Sequence, residues 1–446
     1  MYIKNQKFLV FGISKSGYSV AKLLLKRNAT CYLYEEVFID RVNVAIKELE
    51  SLGAKLISKE NIDKVLEEID VLILSPGVPI NHDLSVKAKG LGKRIIGEFE
   101  FGSSLLKNPF IAITGTNGKT TTCYLLKNIL EKEEKVRLLG NVGTPITSCV
   151  DEISSDEILI TEISSFQLET TYAFMPHIMC VLNVTPDHLE RHYTMDNYIF
   201  LKRKLLKNAK ESEYAVLNYD DEIVSSFEEN LLAKKVWFSL NQKVDGAYLL
   251  DNKIFYFDEY IIDVDKIPIK GNHNIQNVLA SICMAKIMGI SSENIVNGLV
   301  GFKGVKHRIE EVATINDITF YNDSKATNTA STISAIKSLE GPIVLILGGR
   351  EKGEKYDKLF KEIKNSFVTN VVLTGESRFN MFSSATAEGY MNLTITENFD
   401  NAVRIAYMLA KPNEKVLLSP GCASFDSFEN YEARGERFCE LVENLK

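Results

Sequence analysis

Residues 110–126 read FIAITGTNGKTTTCYLL, and this stretch decides the fold of the chain around it. The apolar run FIAIT is typical of a buried strand, and a helical pattern follows from about Lys119. Between them, Gly115 and Gly118 let several backbone N–H groups point into one concavity, to which the helix start adds its positive end. Lys119 can reach β- and γ-phosphates, and Thr120 can offer a hydroxyl to Mg²⁺. The stretch therefore predicts a strand–turn–helix site for a nucleotide phosphate; the alternative is a surface turn with a chance lysine.

The bulk composition favours a globular protein with small ligands. The chain has 446 residues and a net charge of -7, which argues against a broad nucleic-acid surface. No apolar run reaches the ~18 residues of a membrane span, so membrane insertion is not expected. The 7 cysteines form no CxxC pair, as in a reduced chain. We expect a cytoplasmic protein.

Strand and helix patterns alternate along the whole chain, which predicts an α/β protein with parallel sheets. We expect three domains: a Rossmann-like N-terminal domain over 1–105, a central P-loop-type mononucleotide-binding domain over 106–303, and a Rossmann-like C-terminal domain over 304–446. Short β-hairpins are expected over 236–270. The strands end in small or polar turns, where parallel sheets place their ligands.

A second glycine-containing turn, GISKSG (12–17), follows the first strand and opens a helix. Its spacing resembles a dinucleotide fingerprint, but Ser14 occupies the middle glycine position. Glu35 ends the next strand, where an acid can bind ribose. The turn predicts a nucleotide-diphosphate site, and the alternative is a tight turn that serves only the fold.

Acidic and histidine side chains follow two strands of the central region. Glu162, in TEISSFQLE, can hold Mg²⁺ directly or through water. The segment LNVTPDHLERH places Asp187 and His188 after another strand; Asp187 can equally cap the next helix, and Arg191 and His192 can be solvated. A lysine-rich helix follows over 197–210, and its periodicity does not choose among Lys202, Lys204 and Lys207.

Seven motifs together resemble the Mur ligases of peptidoglycan synthesis: TGTNGKTTT, GNVG, TEISSFQLET, NVTPDHLERH, KGNHNIQN, DSKATN and LSPGCASFDSFENYEARG. Within that family, SSFQLE, DSKATN and SPGCASFD resemble the branch that adds D-glutamate. The resemblance implies ATP-dependent addition of D-glutamate to UDP-N-acetylmuramoyl-L-alanine through an acyl phosphate. It also implies UDP-substrate binding by the first domain, ATP binding by the second and amino-acid binding mainly by the third.

In the first domain, the resemblance implies that Ser14, Lys15 and Ser16 face the substrate diphosphate. Glu35 is then expected near the uracil or ribose, and the turn at Ser75–Gly77 borders the same pocket. The chain departs from the family pattern at Ser14 and by having Glu rather than Asp at position 35.

In the central domain, the resemblance implies two Mg²⁺ ions, the first held by Thr120 and Glu162 and the second by His188. Family spacing identifies Lys202 as a carbamylated lysine that supports the second ion. Further expected contacts are Asn141 with the muramoyl substrate, Asn274 and Asn277 with adenine, and, with the ATP phosphates, Gly115, Thr116, Asn117, Gly118, Lys119, Thr120 and Thr121.

In the third domain, the resemblance makes His307 and Arg308 a hinge pair that closes on the nucleotide. Asp323 is expected to hold ribose and Lys325 to neutralise phosphate. D-Glutamate is expected to contact Thr327, Lys352, Ser424, Phe425 and Tyr431. Ser424 can instead cap a helix and Tyr431 can be core; Glu351 stands where the family often has Asp.

Three rival functions are weighed against this one. Another amino-acid-adding Mur ligase or a folylpolyglutamate synthetase is disfavoured by SSFQLE and DSKATN. A nicotinamide oxidoreductase built on GISKSG lacks an identifiable hydride-partner site, and a non-catalytic scaffold does not need Lys119, Glu162 and His188. The expected partners are small-molecule substrates, and the expected state is a monomer.

Overall fold

The computed structural model describes residues 3–351 and 355–445. The chain divides into two compact units, Met1–Lys303 and Gly304–Lys446. Unit 1 contains two sheets and unit 2 contains a third. The predicted α/β fold class is confirmed, whereas the limits of the three domains stay a prediction. None of the helices in the described part combines the length and apolarity needed to cross a bilayer.

The first sheet of unit 1 is wholly parallel, in the order β3-β2-β1-β4-β5. Phe8 and Val10 of its first strand pack on one face, and Leu9 and Phe11 on the other, because successive side chains point to opposite faces. The strand order reverses between the first and fourth strands, so the 12–17 turn lies at a topological switch point. The elements are β1 (Lys7–Phe11), α1 (Lys15–Lys26), β2 (Thr30–Tyr34), α2 (Asp40–Ser51), β3 (Lys55–Leu56), α3 (Ile62–Glu68), β4 (Val71–Leu74), α4 (Asp83–Gly90), β5 (Arg94–Gly97) and α5 (Glu98–Ser103).

The central sheet has the order β14-β13-β12-β11-β10-β9-β6-β8-β7 and ends in the predicted antiparallel hairpins. The predicted lysine-rich helix ends at Arg203 and continues as a 3₁₀ turn over Lys204–Leu206. The elements are β6 (Phe110–Thr114), α6 (Lys119–Leu130), β7 (Val136–Gly140), α7 (Ile146–Cys149), β8 (Ile158–Glu162), α8 (Ser165–Glu169), β9 (Ile178–Val181), α9 (Leu189–His192), α10 (Met195–Arg203), β10 (Tyr214–Asn218), α11 (Glu222–Ser225), β11 (Lys234–Ser239), β12 (Gly246–Leu250), β13 (Lys253–Tyr256), β14 (Glu259–Asp263), α12 (Asn272–Ile287) and α13 (Ser292–Val300), with 3₁₀ turns at Ser226–Glu228 and Val264–Lys266.

The two sheets of unit 1 share one apolar core, and α5 joins them. Phe99 lies 4.8 Å from Phe174 between ring centroids, and Phe110 lies 5.2 Å from the same ring. The buried carboxylate of Glu100 accepts hydrogen bonds from the backbone N–H groups of Tyr172, Ala173 and Phe174 at 2.9–3.3 Å. The first sheet is therefore fixed against the central sheet by both packing and buried hydrogen bonds.

Unit 2 is a six-stranded sheet in the order β15-β16-β20-β17-β18-β19, antiparallel only between its first two strands. It has a separate core on each face, with Ile343, Leu345 and Leu347 on one side and Val344 and Ile346 on the other. The elements are β15 (Glu310–Ile315), β16 (Ile318–Asn322), α14 (Thr329–Ser338), β17 (Ile343–Gly348), α15 (Asp357–Lys364), β18 (Val368–Thr374), α16 (Arg378–Ala387), β19 (Leu393–Ile395), α17 (Phe399–Leu409), β20 (Lys415–Leu418) and α18 (Tyr431–Glu443).

Candidate active site

The phosphate loop connects β6 to α6, and its backbone conformation requires glycine at two positions. Gly115 has φ 151° and Gly118 has φ 83°, the latter in the left-handed region at the start of α6. A Cβ atom at Gly118 would overlap the side-chain oxygen of Asn277, so α12 closes directly on the loop. Lys119 Nζ folds back and donates to the carbonyl oxygens of Gly115 and Thr116 at 2.9 and 2.7 Å. The loop is thus preorganised with the ammonium group of Lys119 beside it.

Asn183 holds the loop from the neighbouring strand end, a role the sequence interpretation missed. Its carbonyl oxygen accepts from Thr116 N at 2.9 Å, and its side-chain oxygen accepts from Asn117 N at 2.8 Å. Thr116 Oγ1 also lies 3.1 Å from the Tyr198 hydroxyl. The only sequence signal was the place of Asn183 at the start of the NVTPDH motif.

Glu162 lies at the end of β8 and joins two predicted site residues. Its Oε2 accepts from Thr120 Oγ1 at 2.7 Å, and its Oε1 accepts from Asn141 Nδ2 at 2.6 Å. The carboxylate is 3% exposed. A hydroxyl and a carboxylate at hydrogen-bonding distance are the hard oxygen ligands that Mg²⁺ prefers, so the donor set fits this ion.

His188 follows β9 in a left-handed conformation, with φ 52°. Its Nε2 lies 3.5 Å from Asp187 Oδ2, and its ring lies 4.8 Å from that of Phe166. Asp187 Oδ1 also accepts from the His188 backbone N–H at 3.0 Å. Over residues 3–351 and 355–445, no group of three or more His, Cys, Asp or Glu is arranged to hold a metal ion. The second Mg²⁺ site stays a prediction.

Burial separates Lys202 from the other two lysines of its segment. Lys202 is 1% exposed, and its Nζ donates to Thr114 Oγ1 at 3.1 Å and to Gly115 O at 2.8 Å. Burial, with a smaller effect from Lys119, holds the pKa of Lys202 well below its usual range. Lys204 is half-buried against the end of α8, where burial lowers its pKa to about 8, and Lys207 is exposed.

The solvated alternative for Arg191 and His192 is wrong. The side chain of Arg191 is 14% exposed and that of His192 is 1% exposed. Both contact α8, so the SSFQLE and DHLERH motifs form one packed cluster rather than two surface loops.

The 12–17 turn is held by contacts with the turn after β4. Ser75 Oγ donates to Gly12 O at 2.6 Å, and a Cβ at Gly17 would overlap that same carbonyl. Ser14 and Lys15 are exposed, and Lys15 Nζ donates to Gly143 O at 3.2 Å. The turn therefore faces the GNVG segment of the central sheet.

Three neighbouring residues have specific partners beside these turns. Glu35 accepts from the backbone N–H groups of Ile13, Glu36 and Val37 at 2.6–3.0 Å, so its carboxylate shapes the turn. Ser16 is partly buried, and its carbonyl accepts from Ser19 Oγ. Gly77 O accepts from Arg191 at 3.2 Å.

The two asparagines at the start of α12 have different surroundings. Asn277 is buried, and its Oδ1 accepts from Thr122 Oγ1 at 3.2 Å, beside the phosphate loop. Asn274 is partly exposed, and its Nδ2 donates to Lys270 O at 2.8 Å. Thr121 is buried at the first turn of α6.

In unit 2, Asp323 is buried at the end of β16. Its Oδ2 accepts from Ser419 Oγ at 2.7 Å, and its Oδ1 accepts from Ile309 N at 3.3 Å. Burial raises the pKa of Asp323 to about 7. Lys325 Nζ lies 5.6 Å from the centre of the Tyr431 ring. The DSKATN motif therefore contacts the start of α18 through Lys325 and Tyr431.

The remaining predicted residues of unit 2 differ in exposure. His307 is buried with its Nδ1 2.9 Å from Asn322 Nδ2, whereas Arg308 is exposed. Thr327 is partly buried, Ser424 is 2% exposed and Phe425 is 50% exposed. The cap of α18 is Asn430 rather than Ser424, because Asn430 Oδ1 accepts from Ala433 N. Lys352 lies outside the described residues.

Arg434 is a second residue that the sequence interpretation missed. It is 2% exposed and donates to Ser324 Oγ, Ser324 O and Cys422 O at 2.9–3.1 Å. One buried guanidinium thus ties DSKATN to SPGCASFD. Its signal was an arginine inside the motif ENYEARG.

Two family models match the parts of the chain that carry these motifs. The Mur ligase middle domain matches residues 113–285, and the Mur ligase glutamate ligase domain matches residues 307–422. The chain belongs to the Mur ligase family.

Full-length relatives indicate which branch of the Mur ligase family the chain resembles. UDP-N-acetylmuramoylalanine–D-glutamate ligase of Clostridioides difficile (strain 630) is 39% identical, with 100% of each chain covered. Further full-length relatives at 36–40% identity carry the same name. The resemblance to the D-glutamate-adding branch is thereby confirmed.

Solved structures of other Mur ligases share the fold. UDP-N-acetylmuramate-alanine ligase MurC from Thermotoga maritima superposes with a TM-score of 0.61 at 18% identity, covering 99% of this chain and 100% of that chain. MurF ligase from Thermotoga maritima in complex with ADP gives a TM-score of 0.57 at 15% identity, covering 99% and 97%. At these identities the likeness concerns the fold alone.

Proposed function

We propose that this chain catalyses the ATP-dependent addition of D-glutamate to UDP-N-acetylmuramoyl-L-alanine in peptidoglycan precursor synthesis. The observation that carries the proposal is the phosphate loop with Lys119 beside it and the Thr120–Glu162–Asn141 cluster at its end. The full-length relatives named for this reaction support the same substrates.

The loop and the start of α6 suit the phosphates of ATP. Backbone N–H groups at a helix start and the Lys119 ammonium provide positive potential where charge develops during phosphoryl transfer. Mg²⁺, when bound by Thr120 and Glu162, supplies further neutralisation of the phosphate charge.

Activation is needed because a carboxylate oxygen is a poor leaving group. The carboxylate oxygen of the L-alanyl group attacks the γ-phosphorus of ATP, ADP leaves, and an acyl phosphate forms. The free amine of D-glutamate then attacks the acyl carbon, losing a proton, and inorganic phosphate leaves. Asn141 donates to the carboxylate of Glu162, as Thr120 does. Asn141 is therefore suited to hold the muramoyl substrate near the loop.

A carbamate on Lys202 completes the second metal site in this proposal. The depressed pKa of Lys202 favours the neutral amine, which can add CO₂ and release a proton. The resulting anion would join His188 as a ligand. It would also place a negative charge beside Mg²⁺.

The residues of unit 2 are assigned to the nucleotide and the amino acid. We propose Asp323 for ribose and Lys325 for phosphate, with His307 and Arg308 as the hinge pair. D-Glutamate is assigned to Thr327, Lys352, Ser424, Phe425 and Tyr431. A monomer in the cytoplasm is part of the same proposal, which sedimentation and cell fractionation test.

The test is ATP-dependent ligation measured as phosphate release and as product mass, with D-glutamate, diaminopimelate and lysine offered in competition. We expect D-glutamate to be chosen, with release that depends on both substrates. Lys119→Ala should lower the rate by roughly a hundredfold or more, because the charge beside the phosphates is lost.

Lys127→Ala is the matched control, since Lys127 lies on the same helix with an exposed partner, Glu131. It should keep wild-type rates. Product formed at the wild-type rate by Lys119→Ala would remove Lys119 from this role, and preference for another amino acid would contradict the proposed substrate.

A further inference from the structure

Arg191 binds two separate parts of unit 1 with one guanidinium group. Its Nε and one terminal nitrogen donate to the two carboxylate oxygens of Glu169 at 3.0 and 2.7 Å. Its terminal nitrogens also donate to the carbonyl oxygens of Gly77 and Val78 at 3.2 and 3.0 Å. The planar fork of arginine suits this arrangement, and a lysine amine cannot reproduce all four bonds.

The same guanidinium packs against the cluster that carries His188. It lies 5.1 Å from the centre of the Phe166 ring. That ring lies 4.8 Å from the ring of His188 and 5.5 Å from that of His192. His192 also contacts the start of α8, with its Nε2 2.9 Å from Ser165 Oγ. Contacts therefore run without a break from the turn after β4 to His188.

The backbone around Arg191 is strained at both ends. His188 has φ 52° and Tyr193 has φ 66°, in regions that side-chain-bearing residues adopt at a cost. Thr194 N donates to His192 O at 2.8 Å, which closes a tight turn around Tyr193. Asn81 Nδ2 donates to the Tyr193 hydroxyl at 3.1 Å. Such strain persists only where surrounding contacts hold the segment.

We infer that Arg191 is a positioning residue that fixes the Gly77–Val78 turn against the segment carrying His188. This inference rests on the proposed function. The turn borders the pocket assigned to the UDP-substrate, and His188 lies on the side assigned to ATP. Arg191 therefore sets how the acceptor carboxylate meets the γ-phosphorus that it attacks, and a displacement of about 1 Å can cost about a hundredfold in rate.

Steady-state kinetics of the full-length protein test the inference with Arg191→Met, which keeps the apolar stem and removes every donor. We expect the KM for the UDP-substrate to rise about tenfold and kcat to fall about tenfold, with the KM for ATP unchanged. Arg191→Lys should give intermediate values, because one amine reaches either Glu169 or the carbonyls but not both.

Arg27→Met is the matched control. Arg27 also links the first sheet to the central sheet, through Asp151, but it is exposed and contacts none of the assigned residues. We expect it to keep all wild-type constants. Thermal unfolding of each variant is measured in parallel.

Two results overturn the inference. One is Arg191→Met with wild-type constants; the other is a lower active fraction and melting temperature with every KM unchanged, which is the signature of a role in folding only. If Arg191→Met does not fold, Arg191→Lys decides, and an unchanged KM for the UDP-substrate overturns the inference. An inactive wild-type protein would instead contradict the proposed function.

Discussion

Asp323 shows how burial alone can make a carboxyl group titrate near neutral pH. Its neighbours Ser419 and Ile309 donate to it, and Arg308 and Arg434 lower its pKa, but the effect of burial is larger. The pKa therefore rises from 3.8 to about 7. Since the folded state holds the proton more tightly than the unfolded state, this group's contribution to stability falls as pH rises from about 4 to about 7.

Asp323→Asn removes that titration. We expect the melting temperature of the variant to rise relative to that of the wild type between about pH 5 and about pH 8, in the absence of nucleotide. Thermal unfolding at both pH values measures the change. Asp317→Asn, at an exposed hairpin turn of the same unit, is the control. A difference between variant and wild type that does not vary with pH would contradict the assignment.

Burial also shifts the pKa of Lys202, but it lowers the pKa of this amine, whereas it raises that of the Asp323 carboxyl group. Since burial favours its neutral amine, we expect a lysine carbamate signal by ¹³C NMR when the protein is equilibrated with ¹³C-labelled bicarbonate. The signal should disappear in Lys202→Ala. It should persist in Lys204→Ala, which removes the neighbouring lysine whose pKa is about 8. Loss of the signal in the Lys204 variant alone would place the carbamate on the wrong residue for a metal ligand.

At the scale of elements, α6 is fixed by close packing against α13. A Cβ at Gly298 would lie 2.7 Å from Ile129 Cα, and Asn128 Nδ2 donates to Gly298 O at 2.6 Å. The two helices therefore approach backbone to backbone. Because α6 begins at Lys119, this contact also fixes the phosphate loop.

Gly298→Ala should destabilise the protein by about 1–3 kcal/mol through overpacking. It should also raise the KM for ATP, as α6 moves away from α13. Thermal unfolding and kinetics measure the two effects. Gly90→Ala is the control, because a Cβ at the end of α4 meets no atom within 4 Å. Wild-type stability in the Gly298 variant would show that α13 adjusts freely.

At the scale of the whole molecule, an apolar core of unit 1 is built from two different sheets, so cores and sheets do not correspond one to one. Phe99 and Phe101 of α5 belong to a core that includes Phe110 and Phe174 of the central region. The carboxylate of Glu98 is also buried there, accepting from Thr147 at 2.9 Å, and burial raises its pKa. Unit 2, by contrast, has a core on each face of its own sheet.

Fragments of the chain should reflect this difference. We expect residues 304–446 to fold alone with a cooperative thermal transition, and residues 1–105 to lack one, because their aromatic and acidic side chains on α5 would lose their partners. Circular dichroism of the two fragments measures this, and 1–303 is the control that restores the shared core. Cooperative unfolding of 1–105 would contradict the prediction.

Local features of the site were predictable from the sequence because short segments determine them. The glycines at 115 and 118 and the start of α6 are set by backbone sterics within a few residues. Glu162 and His188 were identifiable because Glu162 ends an apolar strand and His188 lies in the loop after another, where parallel sheets place ligands. The hairpins expected over 236–270 were predictable because short strands and their turns are local features.

The sequence by itself determined the strand–turn–helix phosphate loop, the alternating α/β elements and the motifs of the Mur ligase family. Only the tertiary structure decided which lysine is buried, that Arg191 is tied to Glu169 and to the turn at Gly77, and that Arg434 joins two distant motifs. The reason is physical: a charged side chain has the same covalent structure whether it is solvated or buried. Its pKa and partners depend on residues far away in the chain, which only the folded topology brings together.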